Sequence, residues 1–176
     1  MAKVIMTCGK LCSGKSTYAR KLREELGAVI LSMDSLMLTL FPEGAGEMHD
    51  VYAQRTEKYL LALSLQILET GADVILDWGL WTAEQRQRLR DFYAAHRIEN
   101  EIHYLRISDE ERSRRIRRRN ATPRSGDPAD YYVDEGLLRK SESLFREPSA
   151  EETDVIVEDS PLPAENNAGR NSHGPV

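Results

Sequence analysis

Gly9-Lys10-Leu11-Cys12-Ser13-Gly14-Lys15-Ser16 fits the spacing G-x-x-x-x-G-K-[ST] without a gap, and Thr17 follows. These residue types in this order suit the holding of a polyphosphate. Gly9 and Gly14 accept backbone angles closed to residues with a Cβ, so the amides of Leu11, Cys12 and Ser13 can converge on phosphate oxygens. A helix starting at Lys15 and running through Thr17 adds its positive end. Lys15 reaches the outer phosphates, and the Ser16 hydroxyl suits a magnesium ion. A chance glycine turn matches this pattern rarely, and the strand–turn–helix context makes chance rarer still. Lys10, inside the loop, is assigned to solvent.

Two acidic residues stand where strands should end. Asp34 follows the second apolar strand; a carboxylate there suits the orientation of an acceptor hydroxyl and the acceptance of its proton. Its structural alternative is to cap a short helix over 35–40. Asp77 follows Val74-Ile75-Leu76 and suits magnesium held through water, or else a turn whose amides it satisfies. Trp78 and Trp81, just beyond, are either core-edge aromatics or a wall for an organic acceptor. Arg112, Arg114, Arg115, Arg117, Arg118 and Arg119 crowd one predicted helix. Such runs are commonly solvated faces or nucleic-acid patches, but Arg115 and Arg119 lie one turn apart and share a face.

The elements that must place these groups alternate along the chain. Strands are predicted at 3–8, 28–33, 74–77, 102–107 and 155–157. Helices are predicted at 15–26, closed by Gly27; at 47–70, with Val51, Leu60, Leu61, Leu65 and Leu68 inward and Gly71 as the stop; and at 82–96, capped by Thr82. Two more are predicted at 109–120, capped by Asp109, and at 134–146. Pro123, Gly126 and Pro128 break the stretch between these last two. The alternation predicts an α/β fold, a five-stranded parallel sheet covered on both faces, with ligands at the carboxyl ends of its strands. Residues 1–160 read as one domain and 161–176 as a disordered tail with little to bury.

Composition narrows the function. With 24 Lys+Arg against 29 Asp+Glu the net charge is −5, which disfavours a nucleic-acid coating role. No apolar run is long enough to span a membrane and no secretory leader is legible, so the expected location is cytoplasmic. Cys8 and Cys12, the only cysteines, make no disulfide framework or zinc site.

Together GKLCSGKST, LSMD, VILDWGLWTAEQRQRL and RIRRRN, in this order over about 3–157, resemble the small P-loop kinases of the adenylate-kinase-like group. The resemblance is to the branch with polynucleotide 5′-kinase, chloramphenicol phosphotransferase and zeta toxin. No Asn-Lys-x-Asp guanine signature and no Leu-Ser-Gly-Gly stretch points elsewhere. The resemblance implies sheet order 2-3-1-4-5, ATP with Mg2+, transfer to a hydroxyl of a small organic acceptor, Asp34 as base and a lid over about 112–133. R-x-x-x-R-N, here Arg115 to Asn120, implies that Arg115 and Arg119 fold over the phosphates. Polynucleotide kinases carry an arginine where this chain has Met37, so a nucleic-acid end is disfavoured. The apolar rim of Met33, Met37, Trp78 and Trp81 suits a less charged alcohol. A switch-like ATPase acting on a protein partner is the alternative. Adenine contacts are expected after Val157, at Glu158-Asp159-Ser160-Pro161.

Overall fold

The computed structural model describes residues 2–121 and 132–158. The Pro/Gly-rich break, most of the expected lid's second half, the adenine loop beyond Glu158 and the tail lie outside the described residues. The described elements are β1 (Lys3–Cys8), α1 (Lys15–Leu26), β2 (Val29–Ser32), α2 (Met33–Leu40), α3 (His49–Glu69), β3 (Val74–Asp77), α4 (Ala83–Ala95), β4 (Glu99–Arg106), α5 (Asp109–Ala121), α6 (Glu135–Leu144) and β5 (Val155–Glu158). All five strands run parallel in the order β2-β3-β1-β4-β5, as expected.

The sheet is apolar on both faces because both are covered. Val4, Met6, Cys8, Leu76, Ile102 and Tyr104 pack under α3 and α4, whereas Ile5 and Ile75 pack under α1 through Ala19 and Leu22. Since β1 is central, its carboxyl end lies between those of β3 and β4. The loop after it is therefore flanked by Asp77 on one side and by the start of α5 on the other.

The helix ends correct several expectations. Ser32, not Asp34, caps α2: its Oγ accepts from the Ser35 amide at 3.3 Å, so Asp34 sits in the first turn with its carboxylate uncommitted to capping. Ser108 rather than Asp109 caps α5, accepting from the Glu111 amide at 3.2 Å. Thr82 caps α4 as expected, in a reciprocal capping box with Gln85. The long third helix begins later than expected, at His49 after a 3-10 turn over Gly46–Met48. Val51 in its first turn is 39 % exposed, correcting its inward assignment, whereas Leu60, Leu61 and Leu68 are buried. β4 starts earlier than expected, at Glu99, because pairing with β1 from Lys3 onward extends a polar edge that its own hydrophobicity does not signal.

No helix among the described residues is long and apolar enough to cross a membrane. Leu68→Ala, which empties a buried position between α3 and the sheet, should lower unfolding stability by about 2–5 kcal/mol, measured by urea denaturation.

Candidate functional site

The phosphate-type loop begins where β1 is sewn to the end of β3. Thr7 Oγ1 donates to the carbonyl oxygens of Leu76 and Trp78 at 3.2 and 3.0 Å, and the Gly9 amide donates to the Gly79 carbonyl at 3.1 Å. Gly9 has φ 156°, and a Cβ there would stand 2.7 Å from Ser13 Oγ and 2.9 Å from the Leu105 carbonyl oxygen. Only glycine fits. Cys12 turns the loop in the left-handed region at φ 62°, and Gly14 does so at φ 98° before α1 starts at Lys15. No side chain caps α1, so its amino-terminal amides face the loop's concavity with the helix dipole behind them. Ser13 Oγ is buried beneath the loop, on the side of Gly9, without a hydrogen-bond partner among the described residues. Leu11 and Ser13 are buried, Cys12, Gly14 and Lys15 are half-buried, and Ser16 is exposed.

Lys15 Nζ bonds the carbonyls of Gly9 and Lys10 at 3.1 and 2.9 Å, which holds the loop closed around its charge. Burial pushes its pKa down, while Asp77 and Asp34 pull it back. The reciprocal shifts are upward. Burial raises Asp77, opposed by a hydrogen bond from Ser16 and by Lys15. Asp34 is solvent-accessible at its surface yet enclosed by the cavity walls, and that desolvation raises it, with Lys15 opposing, Asp77 reinforcing and Arg119 opposing. Lys15, Asp34 and Asp77 therefore occupy one electrostatic site, with Ser16 beside Asp77. A hydroxyl next to a carboxylate at the loop's helix end suits Mg2+, which takes few protein ligands and completes its shell with water and phosphate.

All these groups line one cavity of about 1030 Å³, which extends from the loop to a space walled by α2, α3, the residues after β3 and α4. Ser16, Thr17, Arg20, Asp34, Asp77, Arg115, Arg118 and Arg119 line the phosphate end. Met33, Met37, Phe41, Trp81 and Gln85 line the rest of it, the far end, where Arg88 of α4 pairs with Glu57 of α3, and His49 on the same lining acts on Asp34 through its charge. Met37 is buried and its Sδ accepts from Thr56 Oγ1 at 3.3 Å. The two tryptophans divide: Trp78 is core, 5 % exposed with its indole N–H on the Leu31 carbonyl at 3.1 Å, and Trp81 is half-buried on the cavity wall.

The arginine helix is more varied than its sequence suggests. Arg115 Nη1 donates to the Ser13 carbonyl at 3.0 Å and its Nε to Glu111 at 2.9 Å, so it braces the loop. Arg119 approaches Cys12 Sγ at 3.9 Å and acts on Asp34 through its charge. Arg112 is not solvated: it is buried against Glu142. Lys10, assigned to solvent, instead pairs with Asp109 at 2.9 Å. Cys8 is buried and its thiol is pushed up to about 11, which leaves it inert. Glu57 and Arg88 on the cavity lining and the buried Arg86 are residues the motifs passed over. Arg86 is a buried residue whose phase with Leu89 and Tyr93 on α4 was a legible signal of burial.

A family model described as an AAA domain matches residues 4–148. No curated protein gives a significant match. Among solved structures, Kti12 of Chaetomium thermophilum in complex with ADP-AlF3 is 17 % identical, with 92 % of this chain and 91 % of that one covered at TM-score 0.69. The APS kinase CysC of Mycobacterium tuberculosis, in complex with AMPPNP and APS, is 18 % identical over 89 % and 88 % at 0.61. A gluconokinase from Sinorhizobium meliloti 1021 is 18 % identical over 89 % and 82 % at 0.59.

Two outcomes follow from the geometry. Gly9→Ala should abolish measurable Mg·ATP binding by calorimetry, since the added methyl has no room against the loop and the β4 carbonyl. Asp34→Asn should raise the melting temperature at pH 7. A carboxyl with a raised folded pKa binds its proton more tightly in the folded chain, so it subtracts stability as pH climbs past its ordinary value of 3.8. Melts compared at pH 7 and below 3.8 should show the gain shrinking at low pH. With its loop between β1 and α1, its parallel order 2-3-1-4-5 and a family match over residues 4–148, the chain belongs to the AAA domain family and has the P-loop fold of the small kinases.

Proposed function

We propose that the protein is an ATP- and Mg2+-dependent phosphotransferase that moves the γ-phosphoryl group to a hydroxyl of a small organic acceptor. The observation that carries this reading is one continuous cavity, which joins a phosphate-type loop to a chamber walled in part by Met33, Met37, Phe41 and Trp81, with Asp34 on its lining. A nucleotide switch needs the first half of that arrangement and has no use for the second. The solved structures named above include kinases of small molecules, which fits the reading.

In this mechanism the amides of 11–17 and Lys15 bind the phosphates. Ser16 and Asp77 would hold magnesium, which would supply positive charge against the charge of the phosphates. Asp34 accepts the hydrogen bond of the acceptor hydroxyl and takes its proton as the new oxygen–phosphorus bond forms and the bond to the departing ADP oxygen breaks. Its raised pKa makes it a better base than an ordinary aspartate. Arg115 braces the loop from the Ser13 carbonyl, and Arg119, facing Asp34, supplies positive charge beside the transferring group. Met33, Met37 and Trp81 exclude water and favour an acceptor with an apolar body. The absence of an arginine at Met37, which is instead packed on Thr56, counts against a nucleic-acid end.

Lys15→Ala should abolish nucleotide binding, whereas Asp34→Asn should retain it and cut transfer by about 10²–10⁴-fold. A screen of alcohols, sugars, antibiotics, nucleosides and 5′-hydroxyl oligonucleotides, read as ADP release, tests the class. Acceptor-dependent release from a small molecule is the expected result; a flat slow rate with every probe would overturn it in favour of a switch. With the active acceptor, the rate should fall as pH drops through a midpoint above the ordinary carboxylate value, because an already protonated Asp34 cannot take up the hydroxyl proton.

A further inference from the structure

Arg86 is 1 % exposed and belongs to none of the groups that hold phosphate. Its guanidinium bonds three ways: Nε to Glu152 Oε1 at 2.9 Å, and Nη1 to the carbonyls of Leu80 and Arg146, both at 3.0 Å. Burying a guanidinium is costly unless its donors are matched, and here they are matched mainly by backbone of two separate segments. One is the turn after β3 and the other is the stretch between α6 and β5.

The turn is strained. Leu80 lies in the left-handed region at φ 46°, an unfavourable conformation for a branched residue that persists only where its surroundings impose it. The Leu80 carbonyl is held by Arg86 and, at 3.4 Å, by Cys8 Sγ. The next residue, Trp81, forms cavity wall, yet its indole Nε1 is buried without a hydrogen-bond partner among the described residues and packs across Gly79. The polar tie on Trp81 is in its backbone, where its carbonyl accepts from the Arg146 amide at 2.7 Å. Arg146 is the residue whose own carbonyl Arg86 holds, so the ring Arg86–Leu80–Trp81–Arg146 closes on itself.

We propose that Arg86 is a positioning residue for the acceptor chamber: it imposes the strained turn at Leu80 and thereby sets the Trp81 indole that walls the chamber. The role in acceptor binding rests on the function proposed above, but the clamp itself does not. Glu152 serves it by neutralising the buried charge, and Arg86 in turn holds Glu152 below the usual carboxylate range. Lysine cannot replace arginine here, because one ammonium cannot bond partners on both sides of a planar fork.

The test is acrylamide quenching of tryptophan fluorescence in the full chain, which needs no acceptor. Trp78 is enclosed in the core, so the quenchable signal is Trp81; Trp81→Phe verifies this by removing it. Arg86→Lys should raise the Trp81 quenching constant about twofold or more, and Leu68→Ala, destabilised without touching the clamp, should leave it at the wild-type value. A folded Arg86→Lys protein with wild-type quenching would overturn the proposal, as would an equal rise in Leu68→Ala. Should Arg86→Lys fail to fold, Glu152→Gln decides instead: raised quenching supports the clamp and wild-type quenching overturns it. Raised quenching with no acceptor-dependent turnover would sink the proposed function and leave the clamp standing. Wild-type quenching beside acceptor-dependent turnover would do the reverse.

Discussion

The hydrogen bond from the Gly9 amide to the Gly79 carbonyl joins the first residue after β1 to the turn after β3, in a space too small for any side chain at position 9. Two consequences follow from that contact. It sets where the loop of 9–16 begins its curl, hence where α1 points its amino terminus. It also binds the loop to the segment that carries Trp78, Leu80 and Trp81, so the phosphate end and the far end of the cavity share one backbone junction. Thr7 doubles the seam by reaching the Leu76 and Trp78 carbonyls from inside the sheet. A parallel sheet makes this economical, because the carboxyl ends of neighbouring strands lie side by side and their loops meet without crossing the core.

Around that junction the fold holds charges in conditions water would not impose. Lys15 is enclosed and its proton is loosened, while Asp34 and Asp77 are enclosed and hold theirs more tightly. Lys15 directs its ammonium to the Gly9 and Lys10 carbonyls and acts on the carboxylates through its field. Stability is given up at this site for electrostatic poise, a trade common where groups must change protonation or bind a charged ligand. α5 contributes at longer range, with Arg115 against the Ser13 carbonyl and Lys10 against Asp109, so both flanks of the loop are fastened to the same helix.

Much of this was legible from residue types. The loop motif has a fixed spacing and a fixed backbone demand, so it located itself, and the apolar blocks at Val4-Ile5-Met6 and Val74-Ile75-Leu76 could only be strands buried on both faces. Helix caps were read less well. Asp34 and Asp109 are good caps by type, but Ser32 and Ser108, each just upstream, hold those places in the fold. Val51 was misread because the helix begins only at His49, which leaves Val51 in an exposed first turn, and the arginine run concealed one buried member, Arg112.

By itself the order of residues determined which groups could touch phosphate and in what sequence the strands and helices would alternate, since both depend on interactions a few positions apart. Only the tertiary structure decided that Trp78 is core and Trp81 is wall, that Arg86 grips the Leu80 and Arg146 carbonyls, and that Glu57 meets Arg88 across the cavity. Apart from Arg86 with Leu80, six positions apart, those pairings join segments tens of residues apart, and local spacing carries no information about which long side chain closes over which carbonyl once the sheet has brought the loops together.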